Sequence, residues 1–196
     1  MATAILLKLG HEQEAIASYD RVLALEPDRE YWVWSSLNRG DALVRLGRYK
    51  EAVASYDKAL TVEANHQRTW GLRGVALLSL GCFEEAIISF DHAIEIKPDY
   101  LQWLLRGRAL YNLGYYEEAI TSYNEAMEIQ SGYADAYYGK ACCYALQGKV
   151  EETIENLQQV VSLNPNEGRE IIKTESAFES IRTNSTFQAL IRGDDN

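Results

Sequence analysis

The sequence predicts an all-α protein built as a solenoid, and three observations carry that expectation. A Leu-Gly or Gln-Gly turn recurs at Gly10, Gly47, Gly81, Gly114 and Gly148, with successive spacings of 37, 34, 33 and 34 residues. After each of the first four turns comes nearly the same amphipathic stretch: "EAIASYDRVLAL", "EAVASYDKALTV", "EAIISFDHAIEI" and "EAITSYNEAMEI". Only three prolines are present, and Ala, Leu, Glu and Tyr recur at helical spacing with no alternating Val/Ile/Thr runs. A period of this size means that each unit covers its apolar face only by stacking on its neighbours. With 47% hydrophobic residues in 196, the stack can bury a continuous core.

The pattern inside the period is more specific. Trp70, Gly74, Leu77, Gly81, Ala86, Phe90, Ala93 and Pro98 follow one another in an order that Trp103, Gly107, Leu110, Gly114, Ala119, Tyr123 and Ala126 repeat. This resembles the tetratricopeptide signature. The resemblance covers about residues 1–166 and implies a right-handed superhelix of antiparallel helix pairs, here called A and B.

The elements follow in order. Residues 1–29 form a partial repeat: only about eight residues precede Gly10, half a helix A. The chain therefore reads as starting inside a repeat, either as a fragment of a larger protein or as a naturally shortened start. The short apolar "AILLKLG" belongs to this half helix rather than to a signal peptide. Residues 30–65, 66–99, 100–132 and 133–166 are repeats two to five. Gly40, Gly74, Gly107 and Ala141 sit where helix A meets helix B, with Ala15, Ala52, Ala86 and Ala119 as the matching small residues. Tyr19, Tyr56, Phe90 and Tyr123 fill the gaps between repeats. Pro27, Pro98 and Pro165 stop B helices, with Ala64 and Ser131-Gly132 standing at the other two ends. Glu51, Glu85, Glu118 and Glu152 are expected in the first turns of B helices, where they complement the helix dipole. The longer 37-residue step adds residues around "EPDREYWVWSS", read as a lengthened loop whose Tyr31, Trp32 and Trp34 pack on repeat one. Residues 167–196 are expected to cap the array: Phe178, Ile181, Phe187 and Leu190 fall at helical spacing behind the candidate N-caps Ser176 and Ser185, before a frayed "RGDDN" tail.

Composition and motifs remove most function classes. A formal net charge of −10 disfavours phosphate-backbone binding, so no nucleic-acid partner is expected. No apolar run is long enough to span a membrane. Three cysteines, two of them adjacent, make no disulfide framework and suit a reducing cytoplasm. His11, His66 and His92 are scattered, without metal-ligand or triad spacing, and there is no phosphate-binding glycine loop. No catalytic residue, metal or cofactor is expected.

The resemblance implies instead a groove lined by the A helices. Opposite the buried positions, the exposed stripes read Trp34, Leu37, Asp41 and Val44; Arg68, Gly71, Val75 and Leu78; Leu101, Leu104, Arg108 and Tyr111; and Asp135, Tyr138, Cys142 and Ala145. The A-helix segments carry a net charge of +4 and the B-helix segments −12. Arg39, Arg73, Arg106 and Lys140 are expected to bridge to B-helix carboxylates, leaving Arg68 and Arg108 as ligand cations. The candidate groove is therefore Trp34, Leu37, Asp41, Arg68, Val75, Leu101, Leu104, Arg108, Tyr111, Asp135 and Tyr138. Its expected ligand is a peptide or partner protein with apolar and acidic residues. The carboxylate clamp of chaperone-binding members is not matched in either frame: Leu37, Asp41, Leu72, Leu101 and Leu105, or Gly71, Val75, Leu105, Asp135 and Gly139, stand at its positions. The alternatives are self-association through the ends of the array, contact with an adjacent domain, or service as the regulatory arm of a larger enzyme.

Overall fold

The computed structural model describes residues 11–26 and 28–193. The half helix ahead of Gly10, the Pro27 stop and the tail beyond Gly193 lie outside the described residues. The chain divides into two compact units, Met1–Pro98 and Asp99–Asn196. In the first lie α1 (Glu12–Ala24), α2 (Arg29–Arg45), α3 (Tyr49–Val62), α4 (Gln67–Leu80) and α5 (Phe83–Ile96). In the second lie α6 (Tyr100–Asn112), α7 (Tyr116–Ile129), α8 (Ala134–Leu146), α9 (Val150–Leu163), α10 (Pro165–Thr174), a 3-10 turn (Ser176–Ile181) and α11 (Ser185–Arg192). The described residues contain no strand. Each helix packs chiefly on its sequence neighbour, as antiparallel hairpins do.

The periodic glycines have two separate jobs. Gly47, Gly81, Gly114 and Gly148 adopt φ of 70°, 76°, 81° and 73°, the left-handed conformation that ends an A helix and turns the chain into its B helix. Gly40, Gly74 and Gly107 instead admit an aromatic ring. A Cβ on Gly74 would stand 2.5 Å from the Phe90 ring and one on Gly107 2.7 Å from Tyr123, and at Gly40 it would overlap Tyr56. The rings of Tyr19, Tyr56 and Phe90 are fully buried. Acidic residues open α3, α5, α7 and α9, as the dipole argument expects.

A polar ladder repeats with the same period. Arg39 on α2 donates to Asp20 of α1 at 2.7 Å and to Ser55 of α3 at 2.6 Å. Arg73 on α4 does the same with Asp57 of α3 at 2.7 Å and Ser89 of α5 at 2.6 Å. Arg106 on α6 donates to Ser122 of α7 at 2.7 Å. Each serine hydroxyl in turn donates to the carbonyl one helical turn earlier, at Glu51, Glu85 or Glu118, so the buried hydroxyls are satisfied. At the next rung Lys140 replaces the arginine, Asn124 the aspartate and Asn156 the serine. Burial holds the Lys140 amine below its ordinary value, with Glu155 opposing.

Two sequence readings are corrected. The extra residues of the 37-residue step do not lengthen a loop: α2 has 17 residues where α4 has 14 and α6 has 13, so the insertion is absorbed as helix. Asp28 caps it, accepting from the Tyr31 backbone N–H at 3.0 Å, which starts the helix ahead of the aromatic run. Trp34 then meets Tyr19 of α1 edge-on at 5.5 Å. In the C-terminal segment Glu175 caps the 3-10 turn and Asn184 caps α11, one residue before each expected serine. The Asn184 carbonyl accepts from both Thr186 and Phe187 backbone N–H groups, leaving Ser185 as the first helical residue. Phe178, Ile181, Phe187 and Leu190 are buried together with Leu157 and Val160 of α9, closing the end of that unit.

Candidate functional site

The candidate residues gather in two places. In the N-terminal unit a cavity of about 270 Å³ is lined by Trp34, Leu37 and Arg68 together with Glu30, Glu63 and His66. In the C-terminal unit a cleft of about 540 Å³ is lined by Leu104, Arg108, Tyr111, Asp135 and Tyr138. Its volume lies in the range typical of ligand sites. Asp41, Val75 and Leu101 line neither space.

The N-terminal cavity is largely self-satisfied. Leu37 is only 5% exposed, so it supports the wall rather than presenting a surface. Arg68 does not stand free as a ligand cation: it reaches from α4 to Asp41 on α2 at 3.2 Å. The other Asp41 oxygen accepts from the Tyr56 hydroxyl at 2.9 Å. Burial raises the Asp41 pKa, while Tyr56 and Arg68 pull it down.

The C-terminal cleft differs in that the charges of Arg108 and Asp135 are unspent. Helical spacing puts Leu104, Arg108 and Tyr111 on one face of α6, and Asp135 and Tyr138 on one face of α8. Arg108 and Asp135 are both exposed, and among the described residues neither makes an ion pair. The Tyr123 ring rises from α7 between Gly107 and Gly139; a Cβ on Gly139 would overlap it. Burial raises the pKa of Tyr111, Tyr123 and Tyr138, so these hydroxyls are neutral donors throughout the physiological range. Ala145, expected on the same stripe, is instead buried in the core that includes Phe178, while Cys142, also in that core, still lines the cleft floor.

Sequence reasoning missed two contributors. Glu175 enters the cleft from the cap and accepts from the Tyr138 hydroxyl at 2.6 Å, a bond that lowers its pKa despite desolvation. No repeat position corresponds to it, so the period gave no signal. Gly139 did carry one: it stands where the pattern has Leu72 and Leu105, and its bare backbone admits the Tyr123 ring to the cleft wall. Among the described residues no His, Cys, Asp or Glu cluster is arranged to hold a metal ion, and no helix is long and apolar enough to cross a membrane.

Comparison with known proteins agrees with the repeat fold. Models of the tetratricopeptide repeat match residues 4–29, 37–100, 107–142 and 134–167. No curated protein matches the sequence significantly. Among solved structures, MamA from Desulfovibrio magneticus RS-1 (residues 41 to the end) aligns with a TM-score of 0.77 at 21% identity, over 84% of this chain and 92% of that one. A second MamA structure aligns at 0.79 and 19% identity, over 85% and 96%. YrrB, a TPR protein with an unusual peptide-binding site, aligns at 0.76 and 24% identity, over 87% and 88%. At these identities the likeness is one of fold.

Proposed function

The chain belongs to the tetratricopeptide-repeat family, and from that premise we propose that it is a non-catalytic scaffold holding a segment of a partner protein against its A helices. The C-terminal cleft is the anchoring site, and the partner segment combines apolar with acidic residues. The observation that carries this reading is the cleft itself: Leu104, Arg108, Tyr111, Asp135 and Tyr138, chosen by repeat register, line one space. Leu104, Tyr111 and Tyr138 offer apolar walls, and Arg108 offers an uncommitted guanidinium. The three free cysteines suit a cytoplasmic setting.

The test is a pull-down from the native host with wild-type chain and the triple variant Leu104→Ala/Arg108→Ala/Tyr111→Ala, folding being checked by circular dichroism. Specific partners retained by the wild type are expected to be lost from the folded variant. Equal retention would end the proposal. A second reading, self-association through the ends of the array, is favoured by Leu25 and Tyr31, which are 81% and 59% exposed near the first junction. Light scattering over a concentration series separates the two, because a strict monomer excludes it.

A further inference from the structure

The C-terminal cleft and the Asp41–Arg68 contact are built on the same two register positions with the charges exchanged. Asp41 on α2 and Arg68 on α4, 27 residues apart, close on each other at 3.2 Å. Arg108 on α6 and Asp135 on α8 hold the corresponding positions, again 27 residues apart. Among the described residues they nevertheless form no ion pair, and both line the open cleft.

Two substitutions within the repeat set this wall apart. Where α4 has the buried Gly71, α8 has Tyr138, whose hydroxyl is drawn to Glu175 of the cap and whose ring meets Phe178 edge-on at 6.1 Å. Where α4 has Leu72, α8 has Gly139, and the Tyr123 ring occupies the place that a Cβ there would take. The wall that results presents a cation on α6, an anion on α8 and aromatic surface beside both, with Glu175 as a second anion.

We propose that this cleft selects a dipolar segment: an acidic side chain against Arg108, a basic one against Asp135, and an apolar residue between them on Leu104, Tyr111 and Tyr138. The inference rests on the scaffold reading above and narrows its ligand class. An all-acidic segment satisfies Arg108 but meets the carboxylates of Asp135 and Glu175. An all-basic segment meets Arg108. Only a segment with one charge of each sign pairs both cleft charges without a like-charge contact at either.

The experiment is an NMR titration of the ¹⁵N-labelled full chain at low salt with three capped synthetic peptides: acid–apolar–base, acid–apolar–acid and base–apolar–base. Shifts are followed at the Arg108 side-chain N–H and the Gly139 amide. The mixed peptide is expected to bind about tenfold more tightly than either like-charged peptide, each exposed ion pair contributing a few-fold. Asp135→Ala is expected to weaken the preference of mixed over all-acidic, Glu175 keeping the remainder, while leaving Arg108-dependent shifts in place. Equal binding of the all-acidic peptide, or a preference undiminished in Asp135→Ala, overturns the dipolar assignment and leaves the scaffold reading standing. Absence of any shift along α6 and α8 with all three peptides also overturns it. In that case the triple-variant pull-down decides separately whether the scaffold reading falls as well.

Discussion

Single residues set the geometry from which everything else follows. The ring of Phe90 lies against bare Gly74, and a methyl group there has nowhere to go without moving an aromatic that is fully buried. Gly74→Ala is therefore expected to destabilise the chain by about 1–3 kcal/mol in urea unfolding. Gly132→Ala, which meets nothing within 4 Å, is expected to change stability by less than about 0.5 kcal/mol. Glu175 makes a second residue-scale prediction. Its folded-state pKa is depressed, chiefly by the Tyr138 hydroxyl, so its contribution is present above the ordinary glutamate value and is lost as pH falls through the depressed one. An NMR titration of the Glu175 carboxyl should show a lowered midpoint in the wild type and a return toward the ordinary range in Tyr138→Phe. An unchanged midpoint in that variant would remove the bond from the account.

At the scale of elements, the arginine ladder ties α2 and α4 each to the B helices on both sides of it. Arg39 and Arg73 each join an aspartate of the preceding B helix to a serine of their own. The rung at Lys140 has lost both the aspartate and the serine of that design, with Asn124 and Asn156 in their places, and its amine carries a desolvation penalty. Restoring it with Asn124→Asp/Lys140→Arg is expected to raise stability by roughly 0.5–1 kcal/mol, the scale of a partly exposed ion pair, with a matching rise in the urea midpoint. The ladder was half legible in sequence. Recurrence of Arg39, Arg73 and Arg106 one place before each small residue pointed to a structural bridge, whereas the serine partners carry no charge to announce them. Helix boundaries behaved in the same way. Turn glycines and the spacing of Ala and aromatics marked the hairpins, because those positions are constrained by backbone conformation and close packing. The α2 extension was not legible, since "REYWVWSS" is a poor helix former on propensity and is held helical by Asp28 and by Trp34 packing on Tyr19.

For the molecule as a whole, repetition explains both what the sequence disclosed about the site and what it withheld. A helical stripe read from one repeat transfers to the next, which is why five candidate residues converge on the C-terminal cleft. Contacts that break the period do not transfer. Arg68 folds over onto Asp41, Leu37 sinks into the wall, and the cap buries Ala145 while sending Glu175 into the cleft. These events depend on side-chain reach and on a segment outside the repeat. The proposed site thus lies where the period is violated by Gly139, Tyr138 and Glu175, while the regular positions hold the stack together. The most direct measurement is amide hydrogen exchange on the chain with and without the partner that the wild type retains. The account predicts new protection along α6, α8 and the Ser176–Ile181 turn, with α7 and α9 unchanged. Protection confined to α7 and α9, with α6 and α8 exchanging as in the free chain, would contradict it.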